Sequence, residues 1–169
     1  FADRILAWYG DLNTTRDAFF TRHGIFDKLV PASTGVGIAN PFGAAMVTEA
    51  LAVQPLDDSV SAARIVSPLQ CEAWDYKSSF SRAVRVTAAD HHRLYVSGTA
   101  SIAADGQTAH VGDTVQQIEL TIQVVEALIG KGGMEWQHAV QAIAYFKNGR
   151  DFGLFDDYCQ TAGLNLPHV

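Results

Sequence analysis

The sequence predicts an α+β fold, an antiparallel β-sheet with two helices packed on one face. Three observations lead there. Residues 114–130, TVQQIELTIQVVEALIG, carry two apolar rows: Val115, Ile118, Ile122, Val125 and Ile129, then Leu120, Val124 and Leu128. A stripe that broad on a helix has to be covered, and a sheet is the surface that covers it. Upstream, SFSRAVRV (79–86) and RLYVSGTASIA (93–103) read as strands. Asp105-Gly106 is then a strong hairpin turn that returns the chain through QTAHV.

The remaining elements follow in order. TTRDAFFTRHGIF (14–26) reads as a helix opened by Thr14 with Asp17 three residues on, and closed by Gly24 with Ile25 behind it. VPASTGVGIANPFGAA (30–45) is a loop, and MVTEALAVQ (46–54) alternates as a strand with Val47, Glu49, Leu51 and Val53 on one face. A short strand is expected near Ala63–Val66 within a linker-like stretch. Asp113 caps the long helix, whose end is marked by Gly130, Gly132 and Gly133. HAVQAIAYF (138–146) alternates as a further strand, and DFGLFDDYCQTAG (151–163) forms a second covering helix that stops at Gly163.

Composition narrows the functional classes. The chain has 169 residues, 48% hydrophobic and 18% charged, the mixture of a soluble globular domain or of two half-size units sharing a core. Its net charge is −6, with twelve basic residues scattered singly, whereas a nucleic-acid partner would demand clustered Lys and Arg. No nucleic acid is therefore expected. No apolar run reaches the length of a membrane span, so no membrane partner is expected either. Cys71 and Cys159 stand far apart without a metal-binding spacing, which suits a reducing compartment; cytoplasm is the expected location. Neither metal nor cofactor is implied. His91 and His92 are adjacent and on a strand would face opposite ways, and the other histidines lack ligand spacing. Trp8, Trp74 and Trp136 read as core or interface residues. Gly35, Gly37 and Gly43 follow no strand and open no helix, so they form no dinucleotide loop.

Two places invite chemistry. Glu49 on the inward face of an apolar strand would have to be paired, protonated or set at an interface, and desolvation would raise its pKa toward general-acid use. An edge strand whose inner face is wet explains it equally well. Ser97-Gly98-Thr99 puts a glycine inside a strand between two hydroxyls, either a simple sheet kink or a place where a ligand nears the backbone. Spacing alone favours the kink. Ser81 and Arg82 fall on the neighbouring strand, where Arg82 is either an anion holder or a solvated charge.

The run Phe80-Ser81-Arg82-Ala83, Val96-Ser97-Gly98, Asp105-Gly106 and Gly112-Asp113 with its long helix resembles the Rid family, also called YjgF or L-PSP endoribonuclease. That family runs tyrosine-serine-x-alanine, valine-serine-glycine, hairpin, glycine-aspartate. Pro31-Ala32-Ser33-Thr34 and Glu49 resemble the family's proline-alanine-arginine-threonine motif and the glutamate that ends its next strand. Within the family the chorismatase branch is closest, since SGTASI is present complete as residues 97–102 and SPLQCEAWDY (67–76) resembles the segment before its SF-R-A motif.

The resemblance implies a chorismate-mutase-like sheet and trimers with ligand pockets at their interfaces. It also suggests a division of the chain. AFFTRHGIFDKLVPAS near the start and DDYCQTAGLNLPHV at the end share a helix, a glycine stop and a proline. Residues 1–56 would then be the back half of a first Rid-like unit, 57–77 a connector, and 78–169 the front of a second. Phe1 and the closing NLPHV read as ends within a longer protein. The expected assembly is a trimer or pseudo-trimer.

For function the resemblance implies, first, chorismatase-like hydrolysis of a chorismate-type enol ether releasing pyruvate. The resemblance places the acid on a final strand past Val169, with Glu49 a candidate in the first half, and Ser33, Phe80, Ser81, Arg82, Ser97, Gly98 and Thr99 are the candidate residues around a small carboxylic acid. Second is imine or enamine deamination, against which Ser33 counts, because the family's substrate-gripping arginine falls there. Phe80 likewise replaces the family's tyrosine. Third is a non-catalytic small-ligand-binding trimer, since a fold guarantees no chemistry.

Overall fold

The computed structural model describes residues 3–37, 42, 43 and 46–167. His168, Val169, the Trp8 side chain and residues 38–41, 44 and 45 of the glycine loop lie outside the described residues. The elements run α1 (Asp3–Arg22), β1 (Ser61–Ile65), β2 (Ala83–Thr87), β3 (His92–Val96), α2 (Thr114–Lys131) and α3 (Phe152–Ala162). The strands form one antiparallel sheet in the order β1-β2-β3, with Ala83 opposite both Ile65 and Val96.

The two apolar rows of α2 serve two different surfaces. Val124 and Leu128, both fully buried, pack with Leu120 onto Ala83, Ile65, Leu94 and Val96 of the sheet. Ile118 and Ile122 turn away from the sheet and meet Phe155 and Cys159 of α3 and Leu166 behind it. At 100° per residue Ile122 and Val124 lie on nearly opposite sides of the helix, so the stripe expected to lie on the sheet is split. The helix is a middle layer: sheet below, α3 above. Val115, from the expected row, is exposed.

Asp113 caps α2 as expected, its carboxylate accepting from the Gln116 N–H at 3.0 Å. Asp113→Ala is expected to cost about 1 kcal/mol, read as a lower urea midpoint with an unchanged slope. The Asp105-Gly106 turn also forms: Gly106 adopts φ 84°, and the Ala103 N–H donates to the Gln107 carbonyl at 2.8 Å.

Three local expectations are corrected. The first helix starts at Asp3, and Thr14 is inside it, donating its hydroxyl to the Gly10 carbonyl one turn back. A threonine hydroxyl finds that acceptor in a helix interior, so it need not mark a start. Residues 46–54 form no strand, and 138–146 make no regular ladder. An alternating pattern fits a pleated surface, but a strand also needs a run of ladder bonds to a neighbour. Among the described residues 46–54 shows no bridge and 138–146 only one, at Ala142, whose N–H donates to the Pro167 carbonyl. In the later segment Ala144 and Phe146 do turn inward against the α2–α3 core while Val140, Ile143 and Tyr145 stay exposed.

The two glycine-stopped helices end alike. Gly24 and Gly163 take φ 61° and 67°, and Ile25 and Leu164 donate back to Phe20 and Cys159, each at 2.8 Å. This is the left-handed cap that glycine accepts without strain. Each chain then reaches a proline whose carbonyl accepts a backbone N–H at 2.9 Å, Pro31 from Ser81 and Pro167 from Ala142.

Candidate functional site

The β2–β3 ladder ends at Ala83–Val96, and the sheet opens there to admit residues 31–34. The Ser81 N–H donates to the Pro31 carbonyl, and Ala32 bridges Ser81 in parallel. On the other side Gly98 donates its N–H to the Ser33 carbonyl at 3.3 Å, and the Ser33 N–H donates to Ser97 Oγ at 2.9 Å. Ser97-Gly98 is therefore where the strand exchanges one partner for another. A glycine is needed there because a Cβ on residue 98 would stand 2.9 Å from Thr34 Cγ2. Three hydroxyls are spent on this clasp: Ser97 donates to the Ser81 carbonyl, Ser81 to the Val30 carbonyl at 2.6 Å, and Thr99 to the Ser97 carbonyl.

The structure thus brings together Ser33, Ser81, Ser97, Gly98 and Thr99. Phe80 and Arg82, beside them in sequence, sit with the preceding turn instead. Arg82 is only 3% exposed and donates both Nε and one terminal nitrogen to the Cys71 carbonyl, at 2.9 and 2.6 Å. Its guanidinium lies over the rings of Tyr76 and Phe80, 5.3 and 5.5 Å from their centres. The anion-holding role expected for Arg82 is replaced by a structural one: it pins residue 71 and the turn Ala73–Tyr76 to β2. Burial there pushes the Tyr76 phenol above its ordinary pKa, against the opposing pull of Arg82.

Glu49 does not join the cluster. It is exposed within an exposed stretch, so the inward-facing carboxylate expected from the alternation is not formed. Its desolvation argument falls with it, because a solvated carboxylate keeps its water. No carboxylate lies among the residues of the 33–81–97 clasp.

A second polar group was not legible as a site in the sequence. Tyr9, Asn13, Arg16 and Asp17 share one face of α1 and meet Ser78 and Ser79 just before β2. Tyr9 Oη lies 2.8 Å from Ser78 Oγ, Arg16 donates to Asn13 Oδ1 and to Ser78 Oγ at 2.5 and 3.2 Å, and Ser79 donates to Asp17. The Tyr9 ring also reaches the clasp, 3.8 Å from where a Cβ on Gly35 would stand. The 9, 13, 16 spacing signals a helix face, but only docking reveals that the face is polar and inward.

Two surface cavities, of about 190 and 460 Å³, lie along α2, the larger beside Trp136 and Glu126, and neither touches the clasp. Among the described residues no group of three His, Cys, Asp or Glu could hold a metal, and no helix is long and apolar enough to cross a membrane.

No family model and no curated protein matches the sequence. Solved structures do match by shape. An endoribonuclease L-PSP-type protein from Entamoeba histolytica aligns at TM-score 0.52 and 19% identity, over 64% of this chain and 83% of its own. A second such protein, from Thermotoga maritima, aligns at 0.52 and 15%, over 63% and 80%. The fold is Rid-like. A chorismatase structure aligns at 0.48 and 18% identity over 38% of its length, too loosely to select a branch of the Rid-like fold. The α+β architecture expected from the sequence is thereby established, and the clasp occupies the end of a Rid-like sheet.

Proposed function

We propose that this chain binds a small carboxylic acid of the chorismate type at the junction of residues 33–35 with 97–99, and takes part in hydrolysing its enol ether. The observation that carries the reading is the clasp itself: three chain segments converge on a glycine-containing strand end that bears the complete SGTASI run. In the reaction a carboxylic acid protonates the terminal methylene, water adds to the resulting oxocarbenium carbon, and the hemiketal collapses to pyruvate and the ring alcohol. The proton donor has to come from outside the clasp, and we propose a neighbouring copy as its source, in a trimer or pseudo-trimer. Exposed Val140, at 92%, and Leu56, at 95%, support such an assembly, since bare apolar side chains of this size favour burial against a partner. The matching helix stops and proline carbonyls at 24–31 and 163–167 support two tandem units, 1–56 and 78–169, joined by 57–77.

A second reading, ligand binding without turnover, is favoured by the internal engagement of the Ser81, Ser97 and Thr99 hydroxyls and the absence of a carboxylate among the clasp residues. Deamination has weaker support, because Ser33 stands where the resemblance calls for arginine and its backbone is committed to Ser97 and Gly98. Incubation with chorismate is expected to release pyruvate, assayed with lactate dehydrogenase. A raised Tm with chorismate recovered intact would instead establish the binding reading, and neither effect would remove both.

A further inference from the structure

One unexplained group beside the clasp is the guanidinium of Arg16. It is half-buried on the inward face of α1, with its Nε sealed from solvent and lacking any hydrogen-bond partner. No carboxylate comes within ion-pairing distance among the described residues, since Asp17, next in the chain, bonds Ser79 instead. The groups around it are neutral: Asn13 at 8% exposure, Ser78 fully buried and the Tyr9 hydroxyl. A buried guanidinium nitrogen without a partner is costly, and no carboxylate among the described residues pairs with this one. Arg82, by contrast, has its Nε and one terminal nitrogen on the Cys71 carbonyl.

We infer that Arg16, flanked by Tyr9 and Ser78, is a carboxylate-binding group whose anion is a ligand rather than a side chain. The inference rests on the reading above that a small carboxylic acid reaches the 33–35 junction, which Tyr9 adjoins through Gly35. A planar guanidinium held by Asn13 and Ser78 is already oriented, so an incoming carboxylate meets fixed donors instead of a mobile chain. Tyr9 and Ser78 offer hydroxyls at the same place. The class of ligand that fits is a small organic acid with one carboxylate on Arg16 and its body toward Gly35.

The test is an amide and guanidinium NMR titration of the whole chain with benzoate and, in parallel, with neutral benzamide. Benzoate is expected to shift the Arg16 Nε–H signal and the amides of Gly35, Ser78 and Ser79, and to bind at least about tenfold more tightly than benzamide. Arg16→Gln is expected to weaken benzoate by about tenfold or more and to leave benzamide unchanged, with Arg16→Lys intermediate. Equal binding of benzoate by Arg16→Gln, shifts clustered elsewhere, or no response at about millimolar benzoate would overturn the inference. Should Arg16→Gln fail to fold, the wild-type Nε–H shift and Arg16→Lys decide. Benzoate binding without pyruvate release from chorismate would leave this site standing and remove hydrolysis; pyruvate release unaffected by Arg16→Gln would do the reverse.

Discussion

Leu128→Ala is expected to destabilise the protein by about 3 kcal/mol and to lower Tm by roughly 6–12 °C. Leu128 is wholly buried where α2 crosses the sheet, packed with Val124 against Ala83 and the flanking Leu94 and Val96. Removing its isobutyl group loses transfer free energy and leaves a cavity that a three-stranded sheet cannot close, because β2 is held on both sides. The same substitution at exposed Val115, Val115→Ala, is expected to move Tm by under about 2 °C, although the sequence placed Val115 in an apolar row of the same helix. Chemical denaturation of both variants checks the contrast. Equal losses would mean that the sheet-facing row is not the one Leu128 occupies.

Arg82→Ala is expected to cost about 3 kcal/mol, with no rescue by Arg82→Lys. Two donors converge on one carbonyl from a planar group sandwiched over two aromatic rings, a geometry an ammonium cannot reproduce. Truncation strands the Cys71 carbonyl and frees the Ala73–Tyr76 turn. The variant also separates the two roles that this arginine could hold. A folded Arg82→Ala of wild-type Tm that fails to bind carboxylates would restore the ligand-holding role expected from its position in the motif. Lost stability with retained benzoate binding is the outcome the structure predicts.

Much of the architecture was legible because it depends on local chemistry. Asp113, Gly106, Gly24 and Gly163 each solve a backbone problem within five residues of themselves, and each acts as read. The site was less legible. Glu49 and the alternation around it looked like an inward strand face, yet alternation cannot say whether a second strand arrives. Ser97-Gly98-Thr99 is where the strand changes partner, and Ser33 meets it from a distant loop. Arg82 turned out to hold the Cys71 carbonyl, since a guanidinium's role depends on what meets it and not on its neighbours in the chain.

By itself, then, the sequence determined where helices stop, where the hairpin turns, which helix carries two apolar rows and which strand kinks, because steric limits and capping bonds act over a few residues. The tertiary structure alone decided that those rows face opposite layers, that residues 31–34 enter the sheet beside Ser97, that Arg82 holds the Cys71 carbonyl and that Arg16 meets no carboxylate among the described residues. Burial and charge compensation are properties of what packs together, and residues 64 or more apart in the chain, such as Ser33 and Ser97, meet only after folding.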